Sequence, residues 1–307
     1  MMKLSATYLI TILKYGYPPK PEDDFKSLEY LRRLGFHYLE MEGLGREHAK
    51  NLANNLPAYK KALRDNDIRI HNFCIVDPDL VSLDKTKRLA AYDHFKRMAD
   101  IGAEFEPVTF HLASYAPPVE YIGRVPYQLD GGEYSFGTAP RIRIPDGFKW
   151  QQVWETLVES ARFCADYSKS LGKVIIMEPR VDEIICSVDS MIRLLDDVGS
   201  DYLKANFDTG HFAAQRENVC LALSKLEGRY ANIHIADNIP VNTDHLTLGE
   251  GCIDWDEFFR ILKMQNYDGF LGLDLGAKDD SELERKLLRS RDYIADVAKR
   301  AGVTLEW

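Results

Sequence analysis

Four short strings in the second half of the chain each carry a hydrophobic run to a residue that can bind a metal ion. They are KVIIMEPR with Glu178, LKANFDTGH with Asp208 and His211, YANIHIADN with His234, and GFLGLDLG with Asp274. Each run is about the length of one β-strand, and each polar side chain falls where the strand should stop. Carboxylates and an imidazole held together suit a divalent cation such as Mn, Co, Mg or Zn. In a parallel α/β barrel the C-terminal strand ends all open on one mouth, where such chain-distant residues would converge. The expected chemistry is that of a metal site built from Glu178, Asp208, His234 and Asp274.

Each residue also has a plainer reading. Asp208 could simply cap the helix after its strand. If it does more, Gly210 allows a tight turn and His211, three residues on, faces the same ion or its ligand. A lone strand histidine such as His234 is more often a satisfied core residue. Asp237 and Asn238 beside it, and carboxylates from two further strands, favour a ligand. Burying Glu178 behind Val174, Ile175, Ile176 and Met177 is costly without a cation or donors. Arg180 offers it a salt bridge, or offers a substrate a contact. Glu178 and Asp274, three strands apart, would stand on opposite walls, which suits taking a proton from one face of a carbon and returning it to the other. His211 is the third candidate for that chemistry.

His111, at the end of a fourth apolar run, would face the same mouth, as would Glu40 or Glu42 at the end of the second. Strand alternation leads to the expectation that only one glutamate points inward, and Glu42 is nearer the rim. His111, Arg180, Glu42 and Tyr115 are the candidate substrate contacts. Tyr8 and His71 are further pocket candidates for which packing is an equal explanation.

These residues need a scaffold. Strand-like runs begin near Lys3, Phe36, Arg69, Pro107, Lys173, Leu203, Tyr230 and Gly269, with intervals of 33, 33, 38, 66, 30, 27 and 39 residues. All but one interval fit a single strand–helix repeat, so the rhythm predicts a (β/α)8 TIM barrel over residues 1–307. Helices are expected at Phe25–Leu34, Trp150–Leu171, Asp256–Met264 and Ser281–Arg300, with Gly35 and Gly172 as stops. Asp254 is placed to cap the third of these.

The interval of 66 residues holds an insertion, Ser114–Lys149, rich in Pro, Gly and Tyr. So long a loop is usually functional. It follows a strand, and its aromatics (Tyr115, Tyr121, Tyr127, Tyr134, Phe136, Phe148) suit a lid over the mouth, with Arg124, Arg141 and Arg143 as donors to hydroxyls. An oligomer contact is the alternative.

Composition narrows the function classes. Lys and Arg number 39 against 48 Asp and Glu, a net charge of −9, which disfavours nucleic acid and anionic membrane surfaces. The opening MMKLSATYLITILKYGYPP is too short and polar to span a bilayer and lacks a small-residue cleavage site, so it reads as the first barrel strand. Cys74, Cys164, Cys186, Cys220 and Cys252 are scattered, with no C-x-x-C pair, as expected of free thiols in a reducing cytoplasm.

Taken in order, EPR (Glu178–Arg180), FDTGH (Phe207–His211), HIADN (His234–Asn238), LGEGCIDW and GFLGLDL resemble the sugar phosphate isomerase/epimerase family of xylose isomerase-like TIM barrels. The likeness spans nearly the whole chain. It implies one divalent metal, Mn foremost, on Glu178, Asp208, His234 and the last-strand carboxylate, with His211 toward the substrate oxygen or the metal water. In ketose epimerases of this type two metal-bound glutamates form the base pair. Here the last strand offers Asp274, one methylene shorter. Endonuclease IV shares the fold, but its trinuclear zinc site needs more His and Glu ligands. The catalytic subunits of C-glycoside deglycosidases also resemble this chain, in the long loop after strand four and in the GFKW entry (Gly147–Trp150). They cleave 3-oxo-glycosides and work with a small second subunit. The expectation is therefore a cytoplasmic, metal-dependent isomerase or epimerase acting on a small sugar by proton abstraction beside a carbonyl. The related lyase is the alternative, and a sugar- or partner-binding barrel without turnover is the other class. A homo-oligomer or a small second subunit would be its protein partner.

Overall fold

A computed structural model describes residues 1–123, 140–240, 243–277 and 279–307. Among the described residues eight strands form the barrel, in chain order β1 Met2–Ala6, β2 Tyr38–Leu44, β3 Arg69–Val76, β4 Thr109–Ala113, β5 Val174–Glu178, β6 Leu203–Asp208, β7 Tyr230–Ile235 and β8 Phe270–Leu273. Each pairs in parallel with its sequence neighbour, and β8 pairs back onto β1 (Lys3 opposite Phe270, Ala6 opposite Leu273), closing the barrel. Parallel strands covered on both faces carry no amphipathic alternation, which is why these segments read as near-continuous buried runs.

The helices are α1 Leu9–Tyr15, α2 Pro21–Arg33, α3 Gly45–Asp65, α4 Lys85–Ala103, α5 Trp150–Ser170, α6 Val188–Val198, α7 Thr209–Ala214, α8 Val219–Lys225, α9 Trp255–Met264 and α10 Asp280–Arg300. α2 starts four residues before the expected Phe25, because Pro21 sits in its first turn, followed by the acidic Glu22, Asp23 and Asp24 that favour a helix N-terminus. α9 starts at Trp255 with Asp254 as its cap, accepting from Glu257 N at 3.0 Å. No helix among the described residues is long and apolar enough to cross a membrane.

The apolar mass lies between strands and helices, where Phe73, Phe95, Phe110, Phe207, Phe258 and Phe259 are fully buried. The barrel interior is instead polar. Ser5, Asn72, Thr109, Asn206 and Asn232 are buried there and bond across strands: Thr109 Oγ1 to Asn72 Oδ1 at 2.8 Å, and Asn232 Nδ2 to Asn206 Oδ1 at 3.0 Å. These bonds pair most of the polar groups of the floor, as burial requires, while Asn232 Oδ1 and His71 Nδ1 have no hydrogen-bond partner among the described residues.

Candidate metal centre and active site

Strand register assembles the mouth. Asp208 of β6 lies opposite His234 of β7, and His234 opposite Gly272 of β8. Gly272 is small for a reason. A Cβ there would stand 3.3 Å from His234 Cδ2, 3.4 Å from Glu40 Oε1 and 3.1 Å from Thr7 Cγ2. Without it, Glu40 of β2 reaches across the barrel to His234.

His234 is the hub. Its Nδ1 lies 2.7 Å from Glu178 Oε1 and 3.7 Å from Asp208 Oδ2, and its Nε2 lies 3.1 and 3.0 Å from the two Glu40 oxygens. Burial alone would make this imidazole hard to protonate, yet Glu40 and Glu178 push its pKa well above the ordinary value. Burial would likewise raise Glu40, but His234 holds it down to about 2. Glu178 is lowered too, against its burial, by the same imidazole. Asn206 and Asn232 fix the two glutamates from below, donating to Glu178 Oε1 at 2.7 Å and to Glu40 Oε1 at 3.0 Å.

The donor set fits a divalent cation. Ligand atoms of Glu178, Asp208 and His234 lie within 4.8 Å of one another and are buried. Asp208 Oδ2 is buried with no hydrogen-bond partner among the described residues and faces the His234 imidazole only at 3.7 Å, a costly state for a carboxylate oxygen that a bound cation would relieve. Asp208 Oδ1 meanwhile accepts from His211 N at 2.8 Å, so the plain capping reading holds for one oxygen while the other is left over.

Asp274 lines the same cavity, of about 120 Å³, but points to a different group. Its Oδ1 accepts from Thr7 Oγ1 at 2.7 Å, and its Oδ2 lies 2.8 Å from His245 Nδ1. Despite burial, His245 holds this carboxyl well below the usual range, and Asp274 in turn lifts His245 to about 9. Asp274 thus stands outside the Glu178–Asp208–His234 cluster. His211 faces the cavity from α7, and burial lowers it to about 3.

The other expected contacts divide. His111, Arg180 and Glu42 line the cavity. Burial lowers His111 to about 4, so it is neutral at pH 7. Arg180 pairs with Glu183 at 2.6 Å and lies 3.8 Å from Glu178, a looser salt bridge than the sequence suggested. Tyr115 does not face the cavity. It is packed in the core, its hydroxyl accepting from Asp77 N at 2.9 Å and donating to Ile75 O at 3.3 Å. The choice between Glu40 and Glu42 was a false one. Residues two apart on a strand share a face, and both line the cavity. Glu42 is raised to about 8 by burial and by its acidic neighbours Glu40, Asp274 and Glu178, against the pull of Arg180. Tyr8 is structural, donating to Asp24 at 2.5 Å, and His71 stacks on Phe270 beneath the site.

Two residues had escaped the sequence reading: Glu40 as the partner of His234, and His245 as the partner of Asp274. The loop expectation is answered only at its ends. Glu120–Ile122 pairs antiparallel with Arg141–Arg143, and Arg143 bonds Glu120 at 3.1 Å on the surface. None of the described residues from 114 to 149 lines the cavity. Arg124, Tyr127, Asp130, Glu133, Tyr134 and Phe136 lie outside the described residues. A wider groove of about 500 Å³ is lined by residues of α8 and α9 with Cys220 and Cys252, and by no strand residue.

Comparison with known proteins agrees with this architecture. The family profile described as "Xylose isomerase-like TIM barrel" matches residues 28–297. A hydroxypyruvate isomerase from Escherichia coli K12 is 24% identical over 146 residues, 46% of this chain and 55% of that protein. A fructoselysine 3-epimerase from Escherichia coli O157:H7 is 25% identical over 126 residues, 40% of this chain and 46% of that protein. The chain thus spans about half the length of these curated relatives. Among solved structures, D-psicose 3-epimerase from Clostridium cellulolyticum H10 superposes with a TM-score of 0.72 at 16% identity, covering 96% of this chain and 99% of that one. At that identity the superposition speaks for the fold.

Proposed function

The chain belongs to the xylose isomerase-like TIM-barrel family, and on that premise we propose that it is a metal-dependent isomerase or epimerase of a sugar or keto-sugar. The observation that carries this reading is the buried Asp208 oxygen without a hydrogen-bond partner, set beside Glu178 and His234, which line the cavity. Relatives named as sugar isomerases and epimerases support the substrate class. Unpaired cysteines are consistent with a cytoplasmic setting.

Glu178, Asp208 and His234 would hold the ion, for which manganese suits the mixed oxygen and nitrogen donors. Such a cation, when bound, polarises a carbonyl and stabilises an enediolate. The chain supplies the rest. Arg180 and neutral His111 offer donors to sugar hydroxyls at the cavity wall. His211, low enough to be neutral at pH 7, can accept a proton from a substrate carbon or hydroxyl. Glu42, near 8, can hold a proton at neutral pH and return it. The cavity is walled by buried side chains, which limits water near an enolate.

A second reading has its own observation. Asp274 is held by Thr7 and His245, which leaves Glu178 without the opposed carboxylate a two-base epimerase uses. One-sided proton removal followed by loss of a leaving group, as in lyases of 3-oxo-glycosides, needs no such pair. A small second subunit would accompany that reading.

The test is proton exchange. With a panel of keto-sugars and 3-oxo-glycosides in D2O, deuterium should enter beside the carbonyl, and chelator or Glu178→Gln should abolish it. His211→Ala should cut turnover while the Glu178–Asp208–His234 cluster keeps its ion. Binding of these sugars without exchange or cleavage would convert the enzyme reading to that of a binding protein.

A further inference from the structure

Arg180 needs an anchor. It lines the cavity together with Glu40, Glu42, Glu178 and Asp274. An arginine side chain is long and turns about several bonds, and its charge draws it to the nearest carboxylate. Glu178 is near enough to draw it, with Oε2 at 3.8 Å from Arg180 Nε. A guanidinium seated on Glu178 would compete with a cation for that carboxylate and leave the cavity wall without its donor.

Glu183 opposes that pull. Its Oε1 accepts from Arg180 Nη2 at 2.6 Å, the shorter of the two contacts. Glu183 is buried and does not itself line the cavity. Its other oxygen, Oε2, accepts both donors of Ser114, the main-chain N–H at 3.1 Å and the hydroxyl at 2.6 Å. One carboxylate oxygen thus serves the fold and the other serves Arg180.

The backbone around Glu183 is fixed as well. Ser114 directly follows β4 and opens the long insertion. Ile184 N donates to Tyr115 O at 2.9 Å and Arg180 N to Ile185 O at 2.9 Å, so residues 180–185 form a turn strapped to the end of β4. Tyr115 and Asp182 stand in the left-handed region, at φ 60° and 64°, on the two sides of this strap. A tyrosine persists there only where its surroundings over-determine it.

We propose that Glu183 is a positioning residue: backed by Ser114, it holds the Arg180 guanidinium off Glu178 and presents it to a hydroxyl of the bound sugar. The proposal rests on the reading of Glu178 as a metal ligand and of the cavity as a sugar site. It gives Glu183 two effects that a plain strap would not have, one on the ion and one on the sugar, and both pass through Arg180.

Glu183→Gln separates the two roles of the carboxylate. Its amide oxygen can still accept from Ser114, while its NH2 meets Arg180 donor to donor. The full chain, stripped with chelator, is titrated with Mn2+ alone by calorimetry. Glu183→Gln should weaken Mn2+ binding by about 10–100-fold, as loss of a group that supports a metal ligand does. Replacing Arg180 as well should restore it, so that Arg180→Ala with Glu183→Gln binds Mn2+ as Arg180→Ala does. With the keto-sugar panel, Glu183→Gln and Arg180→Ala should each lower kcat/KM for proton exchange by on the order of 10²-fold, and the double variant should be no worse than the poorer single one. Wild-type Mn2+ affinity and kcat/KM in Glu183→Gln would overturn the positioning role and leave the proposed function standing. So would losses that add to those of Arg180→Ala. Arg180→Ala is a test that does not depend on how Glu183→Gln folds: weaker Mn2+ binding in it would mean that Arg180 supports the ion and is not held away from it, which also sinks the proposal. A wild-type chain that neither binds Mn2+ nor exchanges protons would remove the proposed function and this role together.

Discussion

Asp24 and Asp208 are buried alike, at 2% and 0% relative exposure, and their surroundings are opposite. Asp24 receives the hydroxyls of Tyr8 at 2.5 Å and Tyr59 at 2.6 Å, with His48 Nε2 at 3.5 Å. It ties α2 to α3 and to the start of α1. Asp237 is of the same kind, accepting from the main-chain N–H groups of Asn238, Gly249 and Ile253 and from Trp255 Nε1 at 2.8–3.2 Å. Asp208 keeps one oxygen without a donor and sits beside Glu178, whose carboxyl it makes harder to ionise. A buried carboxylate ringed by donors holds structure. One that shares imidazoles with a neighbouring acid, as Asp208 shares His234 with Glu178, is placed to hold a cation as well.

Substitution should separate the two. Asp208→Asn should lower turnover by on the order of 10³-fold, as loss of a transition-state charge stabiliser does. Its melting temperature in chelator should hold or rise, because crowding of like charges is relieved. A large loss of stability there would erase the contrast. Asp24→Ala should cost about 3–5 kcal/mol in denaturant melts, as breaking a buried ionic group does, while the folded fraction keeps its metal. If it instead loses metal at full stability, Asp24 belongs to the site.

The smallest effect concerns Glu42. Its folded pKa near 8 exceeds the ordinary 4.5, so the unfolded chain gives up this proton first as pH rises. Metal-free wild type should therefore lose stability between about pH 4.5 and 8. Glu42→Gln should melt with wild type at pH 4 and above it at pH 8. Equal melting temperatures at both pH values would mean that the carboxyl is better solvated than its neighbours suggest.

The barrel was legible because its strands are written as apolar runs at a regular interval, and boundaries erred only by a few residues. β4 starts at Thr109 where Pro107 was expected, since proline has no N–H for the ladder. The meeting of Glu178, Asp208 and His234 was legible because a strand end is a position in sequence as well as in space. Glu40 was half seen: its address was read, but its partner lies 194 residues away and appears only when the barrel closes. His245 lies in a segment with no period to orient it. Tyr115 was misread because its backbone turns at φ 60°, which sends the ring inward from a loop that looked exposed.

The closing of β8 onto β1 has a consequence for how the chain is made. Thr7 meets Asp274 across 267 residues of sequence, and Glu40 meets His234 across 194. At ribosomal rates of roughly 5–20 residues per second, the acidic face of β2 waits on the order of ten seconds or longer for its imidazole. Until then those carboxylates must stay hydrated, so the nascent half-barrel has to remain open to water along the face that later becomes its interior.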